Sequence, residues 1–285
     1  MRVLITGGHG QLGRALQSAL AGEEVDALGH SELDITDRVQ VSEAFSPYEP
    51  EVVIHAAAWT DTAGCERDPE RALHVNGAGA GIVAAACREA GAAMVYVSTN
   101  EVFDGEKQEP YEESDAPNAI NAYGRSKLEG ERRVQAALQD ACIVRTSWLY
   151  GPGRDSFPEK ILAAARSQKA LRLVTDEVAS PTWTVDLAAG IAALARERAS
   201  GVFHLSNAGA CSRKEWAEEI IRLGGMEDIP VEATTQAEFG APFRKPRFSA
   251  LANTKAALLG ITLRPWQEAL VDHFQRTQVS QGALR

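Results

Sequence analysis

The chain has 285 residues, 45% of them hydrophobic and 24% charged, with a formal net charge of -10. That length supports a substantial core, in one large domain or two modest ones, and the acidic balance argues against broad binding to nucleic acid or a membrane surface, where a basic field does the attracting. No apolar run approaches the roughly 18 residues of a membrane span, and the chain opens on a strand rather than a secretion signal, so a cytoplasmic location is the default expectation.

Arg2 to Thr6 reads as a short buried strand, and Gly7-Gly8-His9-Gly10-Gln11-Leu12-Gly13 follows it directly. The spacing of Leu12, Leu16, Ala19 and Leu20 predicts a helix over 11–21. Strand, glycine turn and helix together present backbone N–H groups and the positive end of a helix to a pyrophosphate. Gly7 suits the tight turn, Gly10 the close approach of phosphates, and Gly13 the packing of helix on strand; a glycine-rich turn without a ligand is the rival reading. A second strand over 25–28 runs into Gly29-His30-Ser31, which carries neither a carboxylate nor an arginine. Beyond it, Asp34 either accepts a hydrogen bond from an adenine or caps the helix predicted over 37–46.

The third strand, 52–55, runs into Ala56-Ala57-Ala58, small residues that suit either close passage of a nicotinamide ribose or core packing. After a helix over 68–90, a strand over 94–98 ends in Ser98-Thr99-Asn100. A hydroxyl there can bond a carbonyl or a phenol, although Ser-Thr pairs also serve as turn and cap devices. The helix over 121–139 carries Tyr123 and Lys127 four residues apart, hence on one face. A phenol has an ordinary pKa of roughly 10, and a fixed ammonium nearby favours its ionised form, which allows the pair to move protons at neutral pH. A fifth strand over 142–146 leads to Trp148.

Short apolar strands alternating with helices predict a doubly wound parallel α/β sheet over residues 1–148. Residues 149–285 lose that regularity and are expected to form mostly a smaller substrate-binding lobe, with helices over 157–167, 184–198, 212–223 and 265–276 and a strand near Leu171 able to extend the sheet. Within it, Arg244-Lys245-Pro246-Arg247 is the densest basic cluster, suited to a diphosphate or simply solvated. Cys65, Cys87, Cys142 and Cys211 show no metal or disulfide spacing and are expected as reduced, partly buried thiols.

Taken in order and spacing, Thr6-Gly-Gly-His-Gly-Gln-Leu-Gly13, His55-Ala-Ala-Ala-Trp-Thr60, Val97-Ser-Thr-Asn-Glu-Val-Phe-Asp-Gly105, Tyr123-Gly-Arg-Ser-Lys127, Arg145-Thr-Ser-Trp148 and Ser180-Pro-Thr182 resemble the extended short-chain dehydrogenase/reductase family over nearly the whole chain. The resemblance implies a Rossmann-type fold with a smaller C-terminal lobe, and reduction of the 4-keto group of a nucleotide-linked 6-deoxyhexose. Catalysis would fall on Thr99, Tyr123 and Lys127, with Lys127 also gripping the cofactor ribose and lowering the Tyr123 pKa. Cofactor contacts would come from Gly7, His9, Gly10, Gln11, Leu12 and Gly13, then from His30, Ser31, Asp34 and Ile35, and from Ala56, Ala57, Ala58 and Thr60. Thr99, Asn100, Trp148 and Arg247 would meet the substrate. The end of the second strand favours NADPH with NADH tolerated. The chain departs from many relatives by reading Asn100-Glu101 where they read Asp-Tyr, and by carrying Ala15 and Val185 where some place metal-binding residues that pair subunits. No metal is therefore expected, and the chain is expected as a monomer or weak homodimer. Another keto-sugar with the same chemistry, or a dinucleotide-binding regulatory subunit without turnover, are the other readings.

Overall fold

A computed structural model describes residues 1–153, 156–240 and 242–282. The first half alternates as expected through β1 (Arg2–Thr6), α1 (Gln11–Ala19), β2 (Glu24–Leu28), α2 (Arg38–Phe45), β3 (Val52–His55), α3 (Thr62–Arg67) and α4 (Pro69–Ala72). A π-helical stretch, Leu73–Gly79, joins α4 to α5 (Ala80–Ala90), and β4 (Ala93–Thr99), α6 (Ala122–Ala137) and β5 (Cys142–Thr146) complete it. Then come β6 (Leu149–Tyr150), α7 (Phe157–Ser167), β7 (Leu171–Val174), β8 (Val178–Ala179), β9 (Thr182–Trp183), α8 (Thr184–Arg196) and β10 (Gly201–His204). The last elements are β11 (Cys211–Ser212), α9 (Arg213–Leu223), β12 (Val231–Thr234), α10 (Gln236–Phe239), α11 (Thr254–Leu258) and α12 (Trp266–Gly282).

Six parallel strands form the central sheet in the order β10-β5-β4-β3-β1-β2. Val3, Leu4 and Ile5 are wholly buried, as expected of a parallel strand covered on both faces. One face packs on Leu12, Leu16 and Leu20 of the α1 segment together with Leu187, Ile191 and Leu194 of α8. The other packs on Phe45 of α2, Val83 and Cys87 of α5 and Val134 of α6. Each buried Leu of the α1 stripe contributes roughly 1.5–3 kcal/mol, enough to hold a nine-residue helix that would not persist alone. Because β1 neighbours both β2 and β3, the loops leaving β1 and β3 diverge and open a crevice at the sheet's carboxyl edge.

The strand near Leu171 does not extend this sheet. β7 pairs with β12 in a separate two-stranded parallel sheet, and β10 instead takes the edge beside β5, with Gly201 opposite Cys142. β7 is buried at both ends but exposed at Arg172, unlike the wholly buried central strands. α8 lies against α1 and brings the chain back to the open edge of β5. A third core of Tyr150, Trp183, Trp216, Ile220, Trp266 and Leu270 organises the segments after β5. All four cysteines are buried and unpaired with one another. Among the described residues, no helix is long and apolar enough to cross a membrane.

Candidate active site

At the crevice, Gly7 adopts φ +75°, in the left-handed region that favours glycine. A Cβ on Gly7 would lie 2.7 Å from the Ala57 backbone nitrogen, so the glycine turn and the loop after β3 are in contact. A Cβ on Gly13 would collide with the Gly7 carbonyl and lie 2.6 Å from the Gly8 carbonyl, because α1 rests directly on the turn. Gly10 is the N-cap of α1, no side chain caps that helix, and its first turn carries no acid. His9 and Gly10 are exposed, Leu12 is core, and Gln11 donates to the Gly151 carbonyl at 2.5 Å. A cradle that any Cβ would fill, at an uncapped helix start, fits the pyrophosphate of a dinucleotide.

The end of β2 is different from its reading in sequence. Glu32 folds back so that its Oε2 accepts the Gly29 N–H at 2.7 Å and lies 3.4 Å from His9 Nε2, placing a carboxylate where Gly29-His30-Ser31 offers none. His30 and Ser31 are exposed. Asp34 does not cap α2: its Oδ1 accepts the Thr36 N–H at 2.9 Å and hydroxyl at 2.7 Å, which hold its carboxyl below the usual range. Asp37 caps α2 instead, accepting from the Val39 and Gln40 N–H groups. Ile35 is 6% exposed and packs in the core beside Gly79.

Thr99 ends β4, and Tyr123 sits in the first turn of α6, where Asn121 caps the helix by accepting the Gly124 N–H at 2.8 Å. The Thr99 hydroxyl accepts the Glu101 N–H at 3.2 Å and stands near enough to the phenol to favour its ionised form. One turn on, Lys127 is 2% exposed; its ammonium donates to the Val97 carbonyl at 2.8 Å and stands 4.2 Å above the Tyr96 ring. Burial pulls its pKa down to about 7, with Glu131 opposing. The expected lowering of the Tyr123 pKa is not what the geometry produces. Burial and then the Glu101 carboxylate push the phenol well up, Thr99 opposing, so the group holds its proton as a donor must.

Asn76, which the sequence reading missed, ties these parts together. Its Oδ1 accepts the Trp59 N–H at 2.8 Å, and its amide donates to the Trp59 carbonyl at 3.0 Å and to Ser126 Oγ at 2.9 Å. Ser126 in turn donates to the Tyr123 carbonyl at 2.8 Å. The loop holding the partly exposed Ala56, Ala57 and Ala58 and the exposed Thr60 is thereby strapped to α6. A lone Asn inside a helical pattern is the only signal the sequence offers; the π-helical geometry that presents it is common at functional sites.

On the far side, Trp148 adopts φ +43°, a conformation costing a non-glycine residue about 1–2 kcal/mol. It stacks on Trp216 at 5.5 Å, and the Arg213 guanidinium lies 3.5 Å over its ring while bonding Glu177 at 2.9 Å. Trp148 is therefore partly core and partly exposed. An arginine opening an amphipathic helix gives no sequence signal for such a role, since most are solvated. Glu101 accepts from Asn121 Nδ2 at 2.7 Å, and burial raises its pKa, with Lys245 opposing. Asn100 is 2% exposed and donates its amide to Ser249 Oγ at 2.7 Å, anchoring the basic loop. In that loop Arg244 reaches Glu106 at 4.0 Å and Lys245 reaches Glu177 at 3.9 Å, while Arg247 is exposed, with no ion pair among the described residues.

The chain matches the family model of the RmlD substrate binding domain over residues 1–279. It is 39% identical over 277 residues to the dTDP-4-keto-6-deoxy-D-glucose reductase of Streptomyces niveus, covering 96% of each chain. The crystal structure of a dTDP-4-dehydrorhamnose reductase from Clostridium acetobutylicum superposes with a TM-score of 0.93 at 39% identity, covering 98% of this chain and 100% of that one. The Bacillus anthracis dTDP-4-dehydrorhamnose reductase, solved in complex with NADP, gives a TM-score of 0.93 at 36% identity, covering 96% and 99%.

Proposed function

The chain belongs to the RmlD substrate binding domain family, and from that premise we propose that it reduces the 4-keto group of a nucleotide-linked 6-deoxyhexose with NADPH, converting dTDP-4-dehydro-L-rhamnose to dTDP-L-rhamnose. The observation that carries this reading is the placement of Thr99, at the end of β4, and of Tyr123 and Lys127, one turn apart on α6, at the same sheet edge as the glycine cradle.

Bound NADPH supplies the hydride that reaches C4 of the sugar. The turn Gly7 to Gly13 receives the pyrophosphate, Ala56, Ala57, Ala58 and Thr60 border the nicotinamide ribose, and His30, Ser31, Asp34 and Ile35 border the adenosine. Lys127 holds the nicotinamide ribose. Thr99 polarises the ketone oxygen, and Tyr123 gives its proton to the alkoxide that develops there. Trp148 faces the apolar side of the deoxysugar, Asn100 frames the site, and Arg247 offsets the diphosphate. Residues 1–148 carry the dinucleotide and 149–285 mostly the sugar nucleotide, apart from the α8 and β10 segment. With Ala15 and Val185 offering no metal ligand, the chain works as a monomer or weak homodimer.

A second reading keeps the chemistry and changes the sugar. Glu101, a carboxylate beside Tyr123, alters the charge and shape met by the ring, and the Streptomyces niveus relative is named for a different 4-keto-sugar. Incubation with NADPH and dTDP-4-dehydro-L-rhamnose, followed at the nicotinamide absorbance and by NMR of the product, tests both. Oxidation of the cofactor with an L-rhamno product supports the first; no turnover of that sugar but turnover of another nucleotide 4-keto-sugar selects the second, and none with either overturns both.

Two variants probe the periphery. Glu32→Gln removes a negative charge from the end of β2, and an anion within several ångströms of a 2′-phosphate costs about 1 kcal/mol in water. The ratio of NADH to NADPH dissociation constants should thus move about fivefold toward NADPH, measured by fluorescence titration; an unchanged ratio means Glu32 does not face the ribose. Arg247→Glu should raise KM for the nucleotide sugar about tenfold with kcat unchanged, the size expected for one exposed guanidinium on a diphosphate. An unaltered KM removes Arg247 from the substrate site.

A further inference from the structure

Glu131 lies one helical turn beyond Lys127 on α6, at the i+4 spacing that puts both on one face. It is 3% exposed, and two neighbouring strands hold its carboxylate. Arg145 on β5 donates Nε to Oε1 at 2.9 Å and Nη2 to Oε2 at 2.7 Å, and Ser98 on β4 donates its hydroxyl to Oε1 at 2.5 Å. A bidentate guanidinium and a short hydroxyl bond fix the position of this group. Nothing in the reaction described above uses it.

The buried ammonium of Lys127 needs such a partner. Its contacts, the Val97 carbonyl and the Tyr96 ring, carry no formal charge. The titratable groups facing it are Glu131 on its own helix, His55 on β3 and Tyr96 on β4, with Tyr123 one turn back. His55, which shares a 2.6 Å hydrogen bond with Thr6 Oγ1, is neutral, its pKa brought to about 3 by burial and then by Lys127. Burial, then Glu131, holds the Tyr96 phenol protonated. Of these groups only Glu131 is an anion that opposes the loss of hydration at Lys127.

We propose that Glu131 is a positioning residue for the reduction: locked by Arg145 and Ser98, it supplies the negative potential that keeps the Lys127 ammonium charged within the protein and in step with Tyr123. The lock also explains the arrangement of the network. Without Arg145 and Ser98 the carboxylate would be free to turn, and Lys127 would lose a constant field. The proposal rests on the role given to Lys127 above, but it is read without the sugar substrate.

The test is the pH dependence of dinucleotide binding, measured by fluorescence with NADH, which lacks the titrating 2′-phosphate. Lys127 is cationic below its pKa, so affinity should be full below pH 7 and weaken as pH rises through about 7 in the native protein. In Glu131→Gln the raising influence is gone, and this midpoint should fall by about one pH unit or more, a tenfold change in charged fraction near neutrality. Removing one member of a buried pair can prevent folding. The double variant Glu131→Gln/Arg145→Gln removes both charges of the bidentate pair and should show a displacement in the same downward direction. An unmoved midpoint with affinity lost equally at every pH, or failure of both variants to fold, makes Glu131 structural and overturns the proposal. Failure of the native protein to bind NADH or NADPH at any pH would instead strike the functional reading itself.

Discussion

Replacing Tyr123 by Phe should lower kcat for the 4-keto-sugar by about 10³-fold, within the range typical of a lost general acid, and leave the NADPH dissociation constant nearly unaltered. The ring itself packs beside Cys65, Ala72 and Ala122, contacts that phenylalanine keeps, so the variant isolates the hydroxyl. That hydroxyl lies near Thr99 and Glu101, and both burial and the carboxylate hold its proton in place. Single-turnover absorbance and a separate fluorescence titration divide chemistry from binding. If the variant keeps more than about a tenth of native kcat, another group gives the proton, and Glu101, whose own pKa is raised first by burial, becomes the candidate.

Gly13→Ala should weaken NADPH binding by about 100-fold and lower stability by about 2 kcal/mol, an overpacking cost of ordinary size. The added methyl meets backbone, the carbonyls of Gly7 and Gly8, and neither can rotate away as a side chain would. α1 must therefore lift from the turn, which displaces the N–H groups proposed to receive the pyrophosphate and disturbs the Leu12 and Leu16 contacts beneath. The thermal midpoint without nucleotide should drop by roughly 4–8 °C for a chain of this size. Gly22→Ala is the control: nothing lies within 4 Å of the point where its methyl would project, and both measurements should be unmoved. Native-like affinity in Gly13→Ala would remove the glycine turn from the cofactor site.

The sheet and α6 were legible in the chain because their signals are local. Val3 to Ile5 and Val52 to Ile54 are buried on both faces, and a short continuous apolar run is what such strands require. Tyr123 and Lys127 are brought to one face by helical spacing alone, and a glycine turn between strand and helix has few other uses. The family motifs needed only order along the chain.

Everything that depends on side chains meeting from distant segments had to wait for the tertiary structure. Glu32 reaches the end of β2 only because the turn after Gly29 folds back, Asn76 faces Trp59 only through a π-helical turn, and Arg213 lies on Trp148 only because α9 packs against the third core. The proton affinity of Tyr123 departs from its expected direction for the same reason. Helical spacing brings Lys127 near in sequence, but burial and the Glu101 carboxylate govern the phenol, while the ammonium is spent on Val97 and balanced by Glu131. Periodicity along a chain encodes which face a residue takes; the field at an atom depends on desolvation and on every charge folded around it, and those are properties of the packed molecule.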